Sequence, residues 1–412
     1  MAAQRTVFRG GLIFDGTGAQ ASSGDLVVEG GRIVDLGGGS DGDISVDCAG
    51  MTLLPGLFDC HTHVMFSHID QWKQIQTPFS YQFYEAAGNL AATLGVGITT
   101  IRDAGGADLG VKRALEDGLI GGPRMHISIR MLSQTGGHGD DWYVSGVEVP
   151  FMVAHPGAPS GMVDGPDAMR VKVRQMIRAG ADVIKVATSG GVLSPRDDPR
   201  HAHLRPAELE ILVAEAEAAG VFVMAHAQAA DGIKNAVRAG IRSIEHGIYL
   251  DDEAIELMLE HGTWLVPTLV APGGVIDAAA QGVPVPEASV AKARQVVDIH
   301  QRSFSKAVAA GVRIAMGTDS GVTPHGSNLR ELALMADGGM EPAQVLAAAT
   351  SSAAELMGLS DRLGTLEPGK LADVVLVRGD VADLATLSER IESVYMEGRL
   401  VSGTPPGDGV RS

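Results

Sequence analysis

Two histidines one residue apart, His61 and His63, close the apolar run Leu53-Leu54-Pro55-Gly56-Leu57-Phe58-Asp59-Cys60. In an extended chain residues i and i+2 project from the same face, so both imidazoles can reach one point in space. Two neutral imidazoles delivered by a rigid element begin a zinc or iron-type site. The bare pair reads equally well as a solvated turn, so other ligand types must decide. They occur far along the chain, each at the end of a short apolar run: Lys185 in Val183-Ile184-Lys185-Val186, His226 after Phe222-Val223-Met224-Ala225, His246 after Ser243-Ile244-Glu245, and Asp319 after Ala315-Met316-Gly317-Thr318. Taken singly, His226 and His246 read as core histidines, Asp319 as a helix N-cap and Lys185 as a buried ion-pair partner. As a set they are nitrogen and oxygen donors recurring at strand ends, which a purely structural scaffold has no reason to collect. Cys60, between Asp59 and His61, reads as a small buried hydrophobe in preference to a nucleophile.

The elements that must hold these side chains are legible in outline. Residues up to about 55 are short strands punctuated by glycine, with Gly30-Gly31 placed as a hairpin turn. Ala372 to Val377 and Ile391 to Arg399 are again strand-like, so the two ends are expected to pack as one discontinuous β-sandwich, residues 1–55 plus 366–412, with 404–412 a loose tail. Between them, apolar β-branched runs alternate with alanine-rich helical stretches, the pattern of βα units around a parallel sheet. Candidate strands are Gly97 to Arg102, Arg124 to Ile129, Val183 to Val186, Val221 to Ala225, Arg242 to Glu245, Trp264 to Pro267 and Val312 to Met316. With the run before His61 these make eight, and an α/β fold with a closed (β/α)8 TIM-type barrel over 56–365 accounts for the count. In such a barrel the chemistry sits at the C-terminal ends of the strands, where the candidate ligands fall.

Composition narrows the setting. A formal net charge of −18 argues against nucleic acid or anionic membrane as the main partner. With only Cys48 and Cys60 present, a disulfide framework is implausible and a reducing, cytoplasmic setting is expected. The N-terminus has no apolar core of signal-peptide length, and no stretch approaches the ~18 apolar residues of a membrane span.

With these residues in view, the sequence resembles the metal-dependent amidohydrolases over essentially its whole length. The His-x-His at His61 and His63, the lysine at Lys185, single histidines at His226 and His246 and the aspartate at Asp319 match the family's ligand pattern. Leu54-Pro55-Gly56-Leu57-Phe58-Asp59 and Gly364 to Asp373 are similar to its flanking motifs. Ser133-Gln134-Thr135-Gly136-Gly137-His138-Gly139-Asp140 and Ser189 to Pro195 resemble the branch of Xaa-Pro and Xaa-Arg dipeptidases, which also contains ochratoxin- and phenylurea-type amide hydrolases.

The resemblance implies a carboxylated Lys185 bridging two divalent metal ions, zinc by expectation. His61, His63 and Asp319 would hold one ion, and His226 with His246 the other. A free ammonium has no lone pair for a metal, whereas the carbamate formed with CO2 supplies two oxygens and a negative charge. A hydroxide shared by ions about 3.5 to 4 Å apart would attack the carbonyl carbon of a small-molecule amide. Asp319 would shuttle the proton, and His138 would help to polarise the carbonyl oxygen, although its glycine-rich loop also admits a purely structural role. The implied activity is hydrolysis of a C–N amide bond in an N-acyl amino acid or dipeptide. The alternatives are a non-peptide amide, carbamate or urea, imidazolonepropionase-like ring opening, or deamination. Deaminases of this superfamily usually carry a glutamate where this chain has Ala229. Gln228 stands where dipeptidase-type relatives commonly have an aromatic residue and is the expected substrate contact there; the loop 196–203 reads as substrate-binding cations or as solvated turn. A homo-oligomer is the expected assembly.

Overall fold

The computed structural model describes residues 4–38, 41–194 and 196–406; Pro195 of the glycine-rich motif and residues 407–412 of the expected tail lie outside them. In chain order the strands are β1 (Arg5–Ile13), β2 (Ser22–Glu29), β3 (Arg32–Leu36), β4 (Ile44–Asp47), β5 (Met51–Pro55) and β6 (Leu57–Thr62). Then follow β7 (Ile98–Asp103), β8 (Arg124–Ile127), β9 (Met131–Leu132), β10 (Val183–Ala187), β11 (Phe222–Ala227), β12 (Ser243–His246) and β13 (Trp264–Val266). The last are β14 (Val374–Arg378), β15 (Ile391–Met396) and β16 (Arg399–Gly403). By backbone proximity the chain divides into two units. The first comprises the described residues of Met1–Asp59, Ala91–Thr100 and Gly326–Ser412, and the second those of Cys60–Leu90 and Ile101–His325.

The first unit is built on one eight-stranded sheet of order β16-β15-β14-β5-β1-β2-β3, with β4 also paired to β1. Strands from the two chain ends join where β14 runs antiparallel to β5, Val375 opposite Leu54. On one face of the sheet Phe8, Leu26, Ile33, Leu53, Val374 and Leu376 form the core, and the central strands β5 and β14 are buried on both sides. Phe8 meets Tyr395 edge to face at 5.0 Å, a geometry the ring quadrupoles favour. Gly56 joins β5 to β6, and a Cβ there would fall 2.1 Å from Thr99 Oγ1, so the close approach requires glycine.

The second unit carries the βα repeats. Helices Pro206–Ala218, Ala230–Arg238 and Asp252–His261 connect β10, β11, β12 and β13, which pair in parallel. Their ends follow from local sequence: Glu208 accepts from the Arg205 N–H at 2.7 Å, Asp251 caps Ala254 N–H at 2.8 Å, and Gly262 ends its helix in the left-handed region at φ 65°. No helix among the described residues is long and apolar enough to cross a membrane.

The expected closed ladder of eight strands is not formed among the described residues. The barrel strands form a five-stranded sheet, β13-β12-β11-β10-β9, and a three-stranded one, β6-β7-β8. Two local causes account for this. The expected strand Arg124 to Ile129 is broken by Ile129, whose φ of 65° takes it out of the extended region and separates β8 from β9. The expected strand Val312 to Met316 makes only an isolated bridge, Leu265 to Ile314, with few backbone hydrogen bonds to either neighbour. Ala315 N–H reaches Leu265 O at 3.0 Å, while Met316 O accepts from Cys60 N–H at 2.9 Å.

Replacing Phe8 by alanine removes a fully buried ring from the sheet core and is expected to lower unfolding free energy by about 3–5 kcal/mol. Chemical denaturation measures this, and an unchanged midpoint would contradict the packing described.

Candidate metal centre

Strand register brings the candidate ligands together. In parallel pairs, residues opposite one another point to the same face, so Ala187 opposite His226, and His226 opposite Glu245, set the side chains of β10, β11 and β12 on a common side with Lys185 two residues before Ala187. By alternation alone His246 would face away from Glu245. Its φ of 74° turns the strand end, and its ring lies 4.6 Å from that of His226 and 5.0 Å from that of His61. Asp319 is also left-handed, at φ 60°. Non-glycine residues in this region are strained and cluster at functional sites.

Ligand atoms of His61, His63 and Asp319 lie within 4.8 Å of one another, a group able to hold a metal ion. Asp319 Oδ1 is 3.2 Å from His63 Nε2 and 3.5 Å from His61 Nε2. The remaining ring nitrogens are committed elsewhere: His61 Nδ1 to Glu245 Oε2 at 2.7 Å, His63 Nδ1 to Gly105 O at 2.8 Å, and His246 Nδ1 to Thr268 Oγ1 at 2.7 Å. Anchoring Nδ1 leaves Nε2 to offer its lone pair, the usual arrangement around a ligating histidine. Burial drives His61, His226 and His246 well below the ordinary histidine range, and the charge of Lys185 adds to this, keeping the rings neutral as ligands must be. Burial opposes ionisation of Asp319, but its pairing with His63 holds the carboxyl well below the usual range, and against its own burial His63 is raised by that same pairing. The donor set therefore fits a divalent ion. Lys185 is buried, with Nζ 3.4 Å from His61 Nε2; burial brings its amine down to about 8, against the pull of Glu245 and Asp319.

These residues form the floor of a cavity of about 150 Å³. His138 lines it and stacks on His226, with ring centroids 4.0 Å apart. Gln228 is buried in its wall. Apolar side chains make much of the rest: Phe66 and Phe151 on the His63 side, with Val192, Ile248 and Val275 also lining it. In the loop 196–203, Arg200 is exposed and pairs with Asp198 at 2.6 Å, and Arg196 lies over the Trp142 ring.

Sequence reasoning passed over Glu245 and Arg102 as functional residues. Glu245 is fully buried between His61 and Arg102, whose Nη2 lies 2.9 Å from Glu245 Oε1. Arg102 also donates to Cys60 O at 2.6 Å and to Ser243 Oγ at 3.2 Å. The available signal was a glutamate and an arginine inside otherwise apolar strands, because such charges are almost never buried unless paired.

A parallel-strand scaffold gathers imidazole, carboxylate and amine groups at strand ends, a donor set of the kind that can hold a metal ion. Comparison with known proteins agrees: residues 52–401 match the Amidohydrolase family, and the chain belongs to that family. Ochratoxinase from Aspergillus niger is 35% identical over an alignment covering 99% of this chain and 88% of that one. The crystal structure of a Xaa-Pro dipeptidase with bound methionine superposes with a TM-score of 0.88 at 33% identity, covering 97% of this chain and all of the other. Molinate hydrolase, at 21% identity and a TM-score of 0.81, shares the fold. The chain is thus a TIM-barrel-type hydrolase in the dipeptidase-like and ochratoxinase-like branch of the amidohydrolases.

Glu245→Gln keeps the shape but removes the charge that pairs with Arg102. Zinc affinity is expected to fall about 10- to 100-fold, as for partners that orient ligating histidines. Competition against a chromophoric chelator measures it, and unaltered affinity would show that His61 needs no such support.

Proposed function

We propose that this chain hydrolyses a C–N amide bond joining an acyl group to an amino acid, as in an N-acyl amino acid or a dipeptide, with two divalent ions, zinc in the first instance. The observation that carries the reading is the convergence of His61, His63 and Asp319 within 4.8 Å, with Lys185, His226 and His246 beside them. His61, His63 and Asp319 would hold one ion and His226 with His246 the other, bridged by a carboxylated Lys185. The chemistry such ions supply when bound is Lewis acidity toward a water and toward the carbonyl.

The chain's own residues account for the remainder. A lysine amine with a pKa near 8 is partly neutral at physiological pH, and the neutral amine adds CO2 to give a carbamate and a proton. Asp319 takes the proton that the attacking water loses and passes it to the leaving nitrogen. His138, at the cavity wall beside His226, faces the carbonyl oxygen and offsets the charge that develops there. Gln228 contacts the substrate, and the apolar walls exclude water. Those same walls favour a second reading, an uncharged amide, carbamate or urea. Ochratoxinase and the Xaa-Pro dipeptidase support amide hydrolysis as the class. A cytoplasmic location and a homo-oligomeric assembly complete the proposal.

Metal-replete protein screened for amine release against dipeptides, N-acyl amino acids, anilides and phenylureas tests it. Release from a carboxylate-bearing amide is expected. Activity confined to anilides and phenylureas would select the second reading, and ammonia released from a heterocycle would overturn both. Lys185→Ala is expected to be inactive and partly restored by formate or propionate with metal, while full activity without rescue would remove the bridging role. Asp319→Asn, which retains a ligand oxygen but not the basic site, is expected to lower kcat at least ~10²-fold. A near-normal kcat with metal retained would assign the proton to another group.

A further inference from the structure

His138 is a loop residue, yet its ring is fixed on several sides. One face stacks on His226 at 4.0 Å and an interplanar angle of 17°. The ring also lies against the backbone of Gly191, where a Cβ would fall 2.2 Å from Cε1, so a side chain at 191 would displace it. Its Nδ1 is 2.8 Å from Ser194 Oγ and 3.5 Å from Asp197 Oδ2.

Asp197 is the centre of this arrangement. Its side chain is only 2% exposed, and a carboxylate so far from water needs partners. It accepts from Gly191 N–H at 3.0 Å and from the Ser194 hydroxyl, and Lys292 Nζ lies 3.1 Å from Oδ1. Lys292, on helix Glu287–Ala310, also donates to the carbonyls of Gly191 and Ser194 at 2.9 and 2.8 Å. One lysine thus balances the buried charge and pins the loop, while Oδ2 stays directed at the imidazole. A buried carboxylate beside one ring nitrogen fixes the orientation in which the other is presented.

The geometry points to Asp197, with Lys292 as its counter-charge, as a positioning residue for hydrolysis: it locks the His138 ring by Nδ1 so that Nε2 is presented to the carbonyl of the substrate. This rests on the proposed function, in which His138 touches that carbonyl. Nδ1 is held by Ser194 Oγ at 2.8 Å, whose hydroxyl is in turn fixed by Asp197, and Nε2 is left to face a developing oxyanion. The same contacts assign the loop 196–203 a role distinct from supplying substrate-binding cations, since Asp197 faces inward while Arg200 is paired with Asp198.

The experiment uses zinc-loaded full-length protein and the best substrate of the amide panel. Asp197→Asn is expected to lower kcat at least about tenfold with KM nearly unchanged, as when an orienting partner of a working histidine is lost. In proton NMR, a downfield imidazole N–H resonance assigned to His138 by its loss in His138→Ala is expected to vanish or move in Asp197→Asn. Normal kcat with that resonance retained overturns the inference. If Asp197→Asn does not fold, Lys292→Gln is read in the same way: kcat and the resonance both change, or neither does and the inference fails. A fully active Asp197→Asn beside an inactive His138→Ala sinks the positioning role alone, whereas a fully active His138→Ala removes His138 from the proposed function as well.

Discussion

The candidate centre depends on an ion pair placed where water cannot reach it. Arg102 and Glu245 face one another at 2.9 Å, with side-chain exposures of 4% and 0%. Removing one partner of such a pair is strongly destabilising, because the other is left as an uncompensated buried charge. Here the cost of burial is offset by satisfying the remaining groups: Arg102 on Cys60 O and Ser243 Oγ, and Glu245 on the Ser243 hydroxyl and His61 Nδ1. The last contact links the interior to the chemistry. With Nδ1 of His61 engaged by the carboxylate, Nε2 is left to face Asp319 and Lys185. One polar cluster therefore ties β6, β7 and β12 together and sets the orientation of a ligand, two tasks that an apolar core could not combine.

Electrostatics and backbone geometry then act together at the cavity floor. Burial drives three imidazoles toward the neutral form and brings the lysine amine to about 8, while pairing with His63 holds the Asp319 carboxyl low. The outcome is a set of nitrogen donors and one carboxylate, beside a lysine amine whose charge burial disfavours. Left-handed backbone at His246 and Asp319 is the structural expense of aiming those donors inward from strand ends. The wall above them is mixed in character, apolar around Phe66, Phe151, Val192 and Ile248, with polar groups such as Gln228 and the His138 ring beside Asp197.

What could be read from the sequence was whatever obeys short-range periodicity. The ligand candidates at strand ends, the βα repeats from Val183 to Val266 and the strands at both chain ends followed from apolar runs and glycine punctuation. The family resemblance also stands, since residues 52–401 match the Amidohydrolase family. Two expected strands failed at local departures of the backbone from a regular ladder. Arg124 to Ile129 breaks at a left-handed isoleucine, and Val312 to Met316 divides its backbone bonds between Leu265 and Cys60 without forming a strand. The Arg102–Glu245 pair and the Asp197–His138 contact were illegible because each joins residues far apart in sequence, and an isolated charge within a strand or loop does not reveal its partner. The direction of His246 was hidden for a similar reason: alternation sends it to the wrong face, and only its backbone torsion corrects this.

The central claim is that these side chains form one site for two ions, and metal stoichiometry tests it most directly. Protein purified, stripped with chelator and equilibrated with zinc by dialysis should retain about two ions per chain by elemental analysis. Protein with Lys185 changed to alanine should retain fewer than the native chain. Zinc at or below one ion per native chain, or an unchanged count after loss of Lys185, would contradict the account.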